Sequence, residues 1–139
     1  MHNTKTSESD SKAIDYRIAL VGNPNVGKSV LFGLFTGKYV TVSNYPGTTV
    51  EVTRGMYAGS NDTIEVVDTP GANSLISHSE DERVARDILL RDEEKRVIQI
   101  LDAKNIHRGL LITTQLAEMG LPISIGLNMW DETLTGGCQ

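Results

Sequence analysis

The sequence lacks the features of proteins made for oxidising compartments. It contains a single cysteine, Cys138, so no disulfide can form within the chain. Small secreted domains usually depend on several disulfides, because they cannot build a sufficient apolar core. The first residues are polar, which is not the pattern of a signal peptide. These absences favour a protein of the reducing cytoplasm.

Long apolar runs and an excess of basic residues are missing as well. No stretch approaches the roughly 20 apolar residues that a helix needs to cross a bilayer, so we expect no transmembrane segment. The formal net charge is −5 and no Lys/Arg cluster stands out, which argues against a nucleic-acid partner. With 139 residues, 39% of them hydrophobic, the chain suits one soluble domain.

The pattern of polar and apolar residues predicts the order of the elements. Residues 1–15 are polar and predict a disordered tail, which leaves 16–139 for the folded domain. Strands are expected at 16–21, 50–57, 63–68, 97–101 and 122–127, and helices at 28–36, 80–90 and 105–119. Residues 37–49, rich in Gly, Ser, Thr and Asn, predict a long exposed loop. This order indicates a three-layer α/β fold with a mostly parallel sheet and one antiparallel hairpin.

Two of the helices carry more specific expectations. Ser79 and Glu82 have the spacing of a capping box, and the helix that follows should bury Val84, Ala85, Ile88 and Leu89. We interpret the acidic run 80–82 as favourable placement at the positive end of the helix, rather than as a metal site. On the helix 105–119, we expect an apolar side of Ile106, Leu110 and Ala117, with Ile112, Leu116 and Met119 beside it. Its polar face would carry His107, Gln115 and Glu118.

The strongest motif is the run Gly22-Asn23-Pro24-Asn25-Val26-Gly27-Lys28-Ser29, which matches the P-loop pattern G-x-x-x-x-G-K-[ST]. It lies between a β-prone run and an apolar helix. This order lets the loop N–H groups and the positive end of the helix dipole face phosphates. Lys28 is expected to reach the β- and γ-phosphates, and the Ser29 hydroxyl to bind Mg²⁺. We count the next residue, Val30, among the nucleotide-binding residues.

Two further motifs follow predicted strands. In Asp68-Thr69-Pro70-Gly71, Asp68 is expected to hold Mg²⁺ through water and the Gly71 N–H to meet the γ-phosphate. In Asn128-Met129-Trp130-Asp131, the Asp131 carboxylate can accept two hydrogen bonds from guanine, a pair that adenine cannot donate. Asn128 would brace the loops around the base. In this order the motifs predict a guanine-nucleotide-binding G domain.

Five stretches resemble the cytosolic G domain of bacterial ferrous iron transport protein B. They are GNPNVGKSVLF, SNYPGTTVE, DTPGANSL, SEDERVARDILL and TTQLAEMGLPISIGLNMWDE, and the resemblance covers residues 16–132. Among its most specific elements is Met129, where most GTPases carry Lys. The resemblance implies binding of GTP or GDP with Mg²⁺, and Lys28, Thr49 and Gly71 as catalytic residues. Thr49 would be the switch threonine, whose hydroxyl binds Mg²⁺ and whose backbone contacts the γ-phosphate. Thr48 is the alternative candidate for this role.

The resemblance also implies a biological setting. In that family the G domain precedes a helical regulatory domain and a membrane domain that passes Fe²⁺. The chain would then be a switch domain at the cytoplasmic face of the inner membrane, with the membrane-embedded iron permease as partner. Two alternatives stay open: a stand-alone GTPase of RNA or ribosome maturation, and a nucleotide-binding remnant that does not hydrolyse.

The catalytic equipment predicts slow hydrolysis. Ala72 stands where some GTPases use Gln to orient the attacking water, and an alanine cannot do so. The role of Asn25 has two interpretations. One is that Asn25 binds K⁺ beside the phosphates, as in related GTPases with Asn at this position. The other is that its side chain stabilises the loop.

The sequence also predicts that the G domain is C-terminally incomplete. A complete domain would continue after Asp131 with a helix, a strand, a base-contacting loop and a closing helix. The strand 122–127 would then become a sheet edge with an uncovered apolar face. We therefore expect marginal stability and a tendency of this chain to associate with copies of itself.

The role of Asp131 gives a first testable prediction. The variant Asp131→Asn should lose affinity for GTP and gain affinity for xanthine nucleotides. The Asn oxygen can accept from the xanthine base, and the Asn NH₂ can donate to the xanthine carbonyl that replaces the guanine amino group. A competition titration with GTP, ATP and XTP measures this. Equal affinities for ATP and GTP in the unaltered chain would contradict the assignment.

Overall fold

Six strands and three helices make up the described part of the computed structural model, which comprises residues 13–59, 61–76, 78–91 and 94–128. The strands are β1 (Tyr16–Gly22), β2 (Thr36–Asn44), β3 (Glu51–Tyr57), β4 (Ile64–Asp68), β5 (Lys95–Asp102) and β6 (Ile123–Asn128). The helices are α1 (Lys28–Phe35), α2 (Glu80–Leu90) and α3 (Leu110–Glu118), the last preceded by a 3₁₀ turn, Ile106–Gly109. Met129 and Asp131, predicted to read the base, lie outside the described residues. So does the predicted disordered tail except for 13–15, where Asp15 N–H donates to the Thr63 carbonyl at 2.8 Å.

All six strands belong to one sheet with the order β2-β3-β4-β1-β5-β6. β1 pairs in parallel with β4 and β5, and β5 pairs in parallel with β6. β3 pairs antiparallel with β4, which confirms the predicted hairpin. The parallel pairs bring the carboxyl ends of β1, β4 and β6 to the same edge of the sheet, where ligands bind in open α/β folds.

Side chains alternate across β1 and create two cores. Ala19 and Val21 pack with residues of α2 and α3 on one face of the sheet. Leu20 packs with Phe32 of α1 and Val66 of β4 on the other face. Helices therefore cover both faces, and the predicted three-layer α/β fold with a mostly parallel sheet is confirmed.

Helix α2 begins as its sequence predicts. Ser79 stands at the N-cap, and its hydroxyl accepts a hydrogen bond from the Glu82 N–H at 3.1 Å. The buried side of the helix consists of Glu82 and the four predicted apolar residues, Val84, Ala85, Ile88 and Leu89. None of the helices in the described part of the chain has the length and apolar character needed to cross a membrane.

The predicted loop 37–49 is wrong over most of its length. Its first part belongs to β2, which pairs antiparallel with β3 in a register that sets Val42 opposite Thr53. β2 is an edge strand, and Val40 and Val42 are exposed on it. The Gly, Ser and Asn residues of this segment suggested a loop, but its Val and Thr residues fit a strand once β3 offers a partner. The β2–β3 pair thus adds a second antiparallel pair to the sheet.

The predicted apolar side of the helix 105–119 is only partly correct. Ile112 and Leu116 are buried, and Met119 packs against the same core. Ile106, Leu110 and Ala117 are exposed, whereas Gln115, assigned to the polar face, is buried. The segment begins as a 3₁₀ turn, and Leu110 and Ala117 belong to the same regular helix as the buried Ile112. At 3.6 residues per turn, residues two apart face nearly opposite sides, so Leu110 faces solvent when Ile112 faces the core. The turn is fixed at Gly109, whose carbonyl accepts from Gln99 Nε2 at 2.8 Å. His107 is exposed, as expected.

β6 forms the other edge of the sheet among the described residues, as the sequence predicts. Its side chains Ile125 and Leu127 are 52% and 50% exposed. An apolar strand face of this kind favours contact with other apolar surfaces.

Helix α3 offers a matched test of the packing. Leu116 is fully buried, whereas Leu111 on the same helix is 52% exposed. Leu116→Ala should lower the free energy of unfolding by about 2–5 kcal/mol, because it leaves a cavity between α3 and the sheet. Leu111→Ala should change it by no more than about 0.5 kcal/mol. Urea unfolding of both variants measures this; equal losses would contradict the packing described.

Candidate phosphate-binding site

The P-loop joins the end of β1 to the start of α1 and turns through left-handed backbone conformations. Asn25 has φ 64° and Gly27 has φ 84°. Gly27 also lies against the end of β6, where an added Cβ would come within 1.7 Å of Asn128 Nδ2. The same Asn128 amide donates to the Val26 carbonyl at 3.0 Å. Only glycine fits at position 27, and Asn128 fixes the loop against β6.

The structure brings Lys28, Ser29 and Asp68 together. Lys28 Nζ donates to Asp68 Oδ1 at 2.5 Å and to the Thr69 carbonyl at 2.7 Å. The Ser29 hydroxyl donates to Asp68 Oδ2 at 3.3 Å. Lys28 is buried, so removing the Asp68 carboxylate would leave a buried ammonium without its ion-pair partner. The parallel pairing of β1 and β4 produces the arrangement, because Asp68 stands opposite Leu20 close to the start of the P-loop.

Gly71 lies directly against the P-loop. An added Cβ would be 3.0 Å from Pro24 Cα and 3.1 Å from Pro24 N, closer than a side chain is normally accommodated. Ala72 N–H donates to the Gly22 carbonyl at 3.0 Å, and Asn23 Nδ2 donates to the Ala72 carbonyl at 3.2 Å. The loop after β4 is therefore tied to the P-loop. The buried Asn23 side chain serves this link.

A cavity of about 410 Å³ opens over these residues. Its lining contains the P-loop residues Asn23, Pro24, Asn25, Gly27, Lys28 and Ser29, together with Val30, Gly71 and Asp81. Asp81 is a wall residue that the sequence analysis missed, because the acidic start of α2 was explained by the helix dipole alone. The run of three acidic residues at 80–82 was the available signal, because one carboxylate is enough for the first turn of a helix and the others could have a further role.

Ser29 and Asp68 supply the oxygen ligands that Mg²⁺ prefers. Two protein ligands suit this ion, because it usually keeps waters and takes substrate phosphates as further ligands. The described residues contain no group of three or more His, Cys, Asp or Glu able to hold a metal ion without a substrate. The residues present therefore fit a magnesium ion that arrives with a nucleotide.

The two candidate switch threonines lie elsewhere. Thr49 donates from its backbone N–H and its hydroxyl to Glu80 Oε1, at 3.0 Å and 3.4 Å. The Thr48 hydroxyl donates to the Tyr45 carbonyl at 2.9 Å and accepts from the Val50 N–H at 3.1 Å. Neither threonine is among the residues that line the cavity.

Glu82 connects α2 to the loop after β4. Its carboxylate accepts from the N–H groups of Asn73 at 3.3 Å, Ser74 at 3.2 Å and His78 at 3.1 Å. Burial by itself raises the pKa of Glu82, but these three donors, with a contribution from the charge of His78, outweigh it. The net pKa is lowered from the ordinary value of 4.5. The capping-box spacing located Glu82 in the sequence but did not reveal this second set of donors.

The lowered pKa of Glu82 predicts how stability depends on pH. A carboxyl whose folded pKa is depressed stabilises the fold above its unfolded pKa, and this contribution is lost as the pH falls through the folded value. Glu82→Gln should therefore cost about 1 kcal/mol at neutral pH, because backbone donors lose a charged acceptor. The difference from the unaltered chain should shrink below the ordinary pKa of 4.5.

Urea unfolding between pH 7 and pH 3.5 measures that difference. Asp87→Asn, which removes the same charge from an exposed position of α2, serves as the control. A difference between Glu82→Gln and the unaltered chain that stays constant over this range would contradict the assignment.

Comparisons with known proteins agree with this geometry. Residues 16–139 match the protein family described as "Ferrous iron transport protein B". The Fe(2+) transporter FeoB of Methanocaldococcus jannaschii is 46% identical over 105 residues, which cover 76% of this chain and 16% of that protein. The chain thus spans about one sixth of the length of this relative.

Solved structures show the same fold. A GDP-bound mutant of S. thermophilus NFeoB superposes with a TM-score of 0.82 at 44% identity, covering 89% of this chain and 48% of that one. The cytosolic domain of L. pneumophila FeoB gives a TM-score of 0.80 at 38% identity, covering 87% and 48%. The described sheet and helices are those of the P-loop NTPase G-domain fold. The chain belongs to the ferrous iron transport protein B family, and its similarity to these structures lies in their G domain.

Proposed function

We propose that this chain binds guanine nucleotides with Mg²⁺, hydrolyses GTP slowly, and acts as the switch domain of a ferrous iron transporter. The observation that carries the proposal is the cluster of Lys28, Ser29 and Asp68 beneath the P-loop cavity. The S. thermophilus relative, which is 44% identical, is bound to GDP in its structure.

Lys28 and the P-loop amides would hold the phosphates. The Lys28 ammonium has three N–H donors, and two of them go to Asp68 and the Thr69 carbonyl. One donor is left for a phosphate oxygen without breaking the ion pair. The loop also stands at the N-terminus of α1, where backbone N–H groups favour an anion. Asn23, Pro24, Val26, Gly27 and Val30 would contribute backbone and shape to this cradle rather than charge.

Base and metal recognition would use residues at the ends of three strands. When bound, Mg²⁺ would supply positive charge that offsets the negative charge of the phosphates. Ser29 and Asp68 already face each other at 3.3 Å and would hold it. Asn128 fixes the P-loop at the end of β6, and Asp131, three residues further on, would accept from the guanine edge. Met129 would cover the base with an aliphatic stem.

Hydrolysis would rest on positioning and electrostatics. Ala72 is buried in the core between the sheet and the helices α2 and α3, so it cannot orient a water molecule. The positive charge of Lys28 and the Gly71 N–H would stabilise negative charge on the γ-phosphoryl oxygens. Thr49 would join them from the segment between β2 and β3. A site with these parts and no general base is expected to turn over slowly.

The transport role extends beyond the residues of this chain. The M. jannaschii relative is an Fe(2+) transporter, and this chain corresponds to 16% of it. We place the chain at the cytoplasmic face of the membrane, with a membrane-embedded iron-permease domain as its partner. The similarity to the cytosolic domain of L. pneumophila FeoB supports this placement.

A charge-matched pair of variants tests the nucleotide site. Lys28→Ala should weaken GDP and GTP binding about 10- to 150-fold, because it removes a charge-assisted contact to phosphate. Arg17→Ala also removes one positive charge from an ion pair, with Glu65, but at the opposite end of β1. It should change affinity by less than about twofold. Titration with fluorescent GDP measures both; unaltered binding in Lys28→Ala would mean that the loop is not a phosphate site.

A second prediction concerns the monovalent cation. Asn25 is exposed and lines the cavity, so its side-chain oxygen can bind K⁺ beside the phosphates. The cation would provide the positive charge that an arginine finger provides elsewhere. GTP hydrolysis should therefore be faster in KCl than in NaCl, and Asn25→Ala should remove the difference. Equal rates in both salts, or a K⁺ effect that survives the substitution, would reject the proposal.

A further inference from the structure

Glu80 holds Thr49 through two hydrogen bonds. The Thr49 N–H donates to Glu80 Oε1 at 3.0 Å, and the Thr49 hydroxyl donates to the same oxygen at 3.4 Å. Glu80 is the first residue of α2, and Thr49 lies in the segment between β2 and β3. Both residues are exposed, so water or another ligand can replace either partner. The contact thus joins two elements that are distant in sequence and can be broken without opening the core.

The surroundings of Thr49 keep its loop in place. Tyr45 N–H donates to the Val50 carbonyl at 2.8 Å, and Thr48 N–H donates to the Tyr45 carbonyl at 3.0 Å. Tyr45 packs against the apolar cluster that contains residues of α2. The Arg91 guanidinium, directly after α2, lies 5.6 Å from the centre of the Tyr45 ring. Packing of Tyr45 therefore anchors the start of this turn, whereas Thr49 itself is held by its hydrogen bonds to Glu80.

We propose that Glu80 is a latch that holds Thr49 away from the nucleotide and that GTP must displace. This inference rests on the proposed function, in which the Thr49 hydroxyl binds Mg²⁺ and its N–H meets the γ-phosphate. The two groups that Thr49 would offer to GTP are the two groups that Glu80 engages. GDP has no γ-phosphate to compete for them. The latch therefore lowers the affinity for GTP and leaves the affinity for GDP unchanged.

The first turn of α2 contacts a second loop besides the one that contains Thr49. Glu82, two residues after Glu80, holds the N–H groups of Asn73 and Ser74 in the loop after β4. Asp81, between them, lines the phosphate cavity. One helical turn thus contacts both loops that would approach the γ-phosphate. When GTP displaces Glu80 from Thr49, it removes one of the two attachments and leaves that of Glu82 in place.

The test compares the affinities of the 139-residue chain for GDP and for the non-hydrolysable GTP analogue GMPPNP, in the presence of Mg²⁺. Glu80→Ala removes the acceptor, and the ratio of GMPPNP to GDP affinity should rise about fivefold, as expected for an exposed, charge-assisted contact. Glu80→Gln keeps a neutral acceptor and should give a smaller rise. Asp87→Asn removes one negative charge from an exposed position of the same helix and should leave the ratio unchanged.

A double variant tests the hydroxyl contact. In a Thr49→Ala background the hydroxyl is gone but the N–H contact with Glu80 remains, so Glu80→Ala should raise the ratio less than in the unaltered chain. If Asp87→Asn raises the ratio as much as Glu80→Ala does, Glu80 acts only through its charge and the latch is overturned. An unchanged ratio in Glu80→Ala, with both nucleotides bound, also overturns the latch while the proposed function stands. Failure of the unaltered chain to bind either nucleotide overturns the proposed function and the latch with it.

Discussion

The ion pair between Lys28 and Asp68 is the interaction on which the site depends. It joins the first residue of α1 to the last residue of β4, so it links the P-loop to the strand that carries the second motif. Both side chains are largely withdrawn from solvent, and a buried charge without a partner costs several kcal/mol. The pair therefore keeps Lys28, Ser29 and Asp68 in one place before any ligand arrives. A site assembled in advance spends less binding energy on ordering its own groups.

The geometry around this pair follows from strand order. β1 lies between β4 and β5, and β6 continues the parallel sheet beyond β5. Parallel strands end at one edge, so the loops after β1, β4 and β6 meet although more than a hundred residues separate Asn128 from the start of the P-loop. The close contacts at Gly27 and Gly71 are consequences of this convergence. An added side chain at Gly27 would collide with Asn128 at the end of β6, and one at Gly71 would press against Pro24 of the P-loop.

The first turn of α2 shows how one short acidic segment can serve several elements. Each of its three acidic residues has a different neighbour: Glu80 contacts Thr49, Asp81 lines the cavity, and Glu82 binds the loop after β4. The helix dipole explains why carboxylates are tolerated there. It does not explain why the oxygens of Glu80 and Glu82 accept from backbone N–H groups of two other loops. Those contacts tie the position of each loop to the same rigid element.

The order of the motifs, the α/β class and the start of α2 can be predicted from the residues alone. Each depends on a local pattern: glycine spacing, apolar periodicity or a serine cap. The motifs also predict that Lys28 contacts phosphate and that Ser29 and Asp68 bind Mg²⁺. That residues 36–44 form a strand could not be predicted in this way, because an edge strand is stabilised by pairing with β3 more than by its own residues. The same holds for the buried side of α3, where the polar Gln115 is buried because it accepts from the Leu75 N–H and donates to the Ser74 hydroxyl. The partners of Thr49 and Glu82 belong to this second class, since hydrogen bonds between side chains and distant loops leave no periodic signal in a sequence.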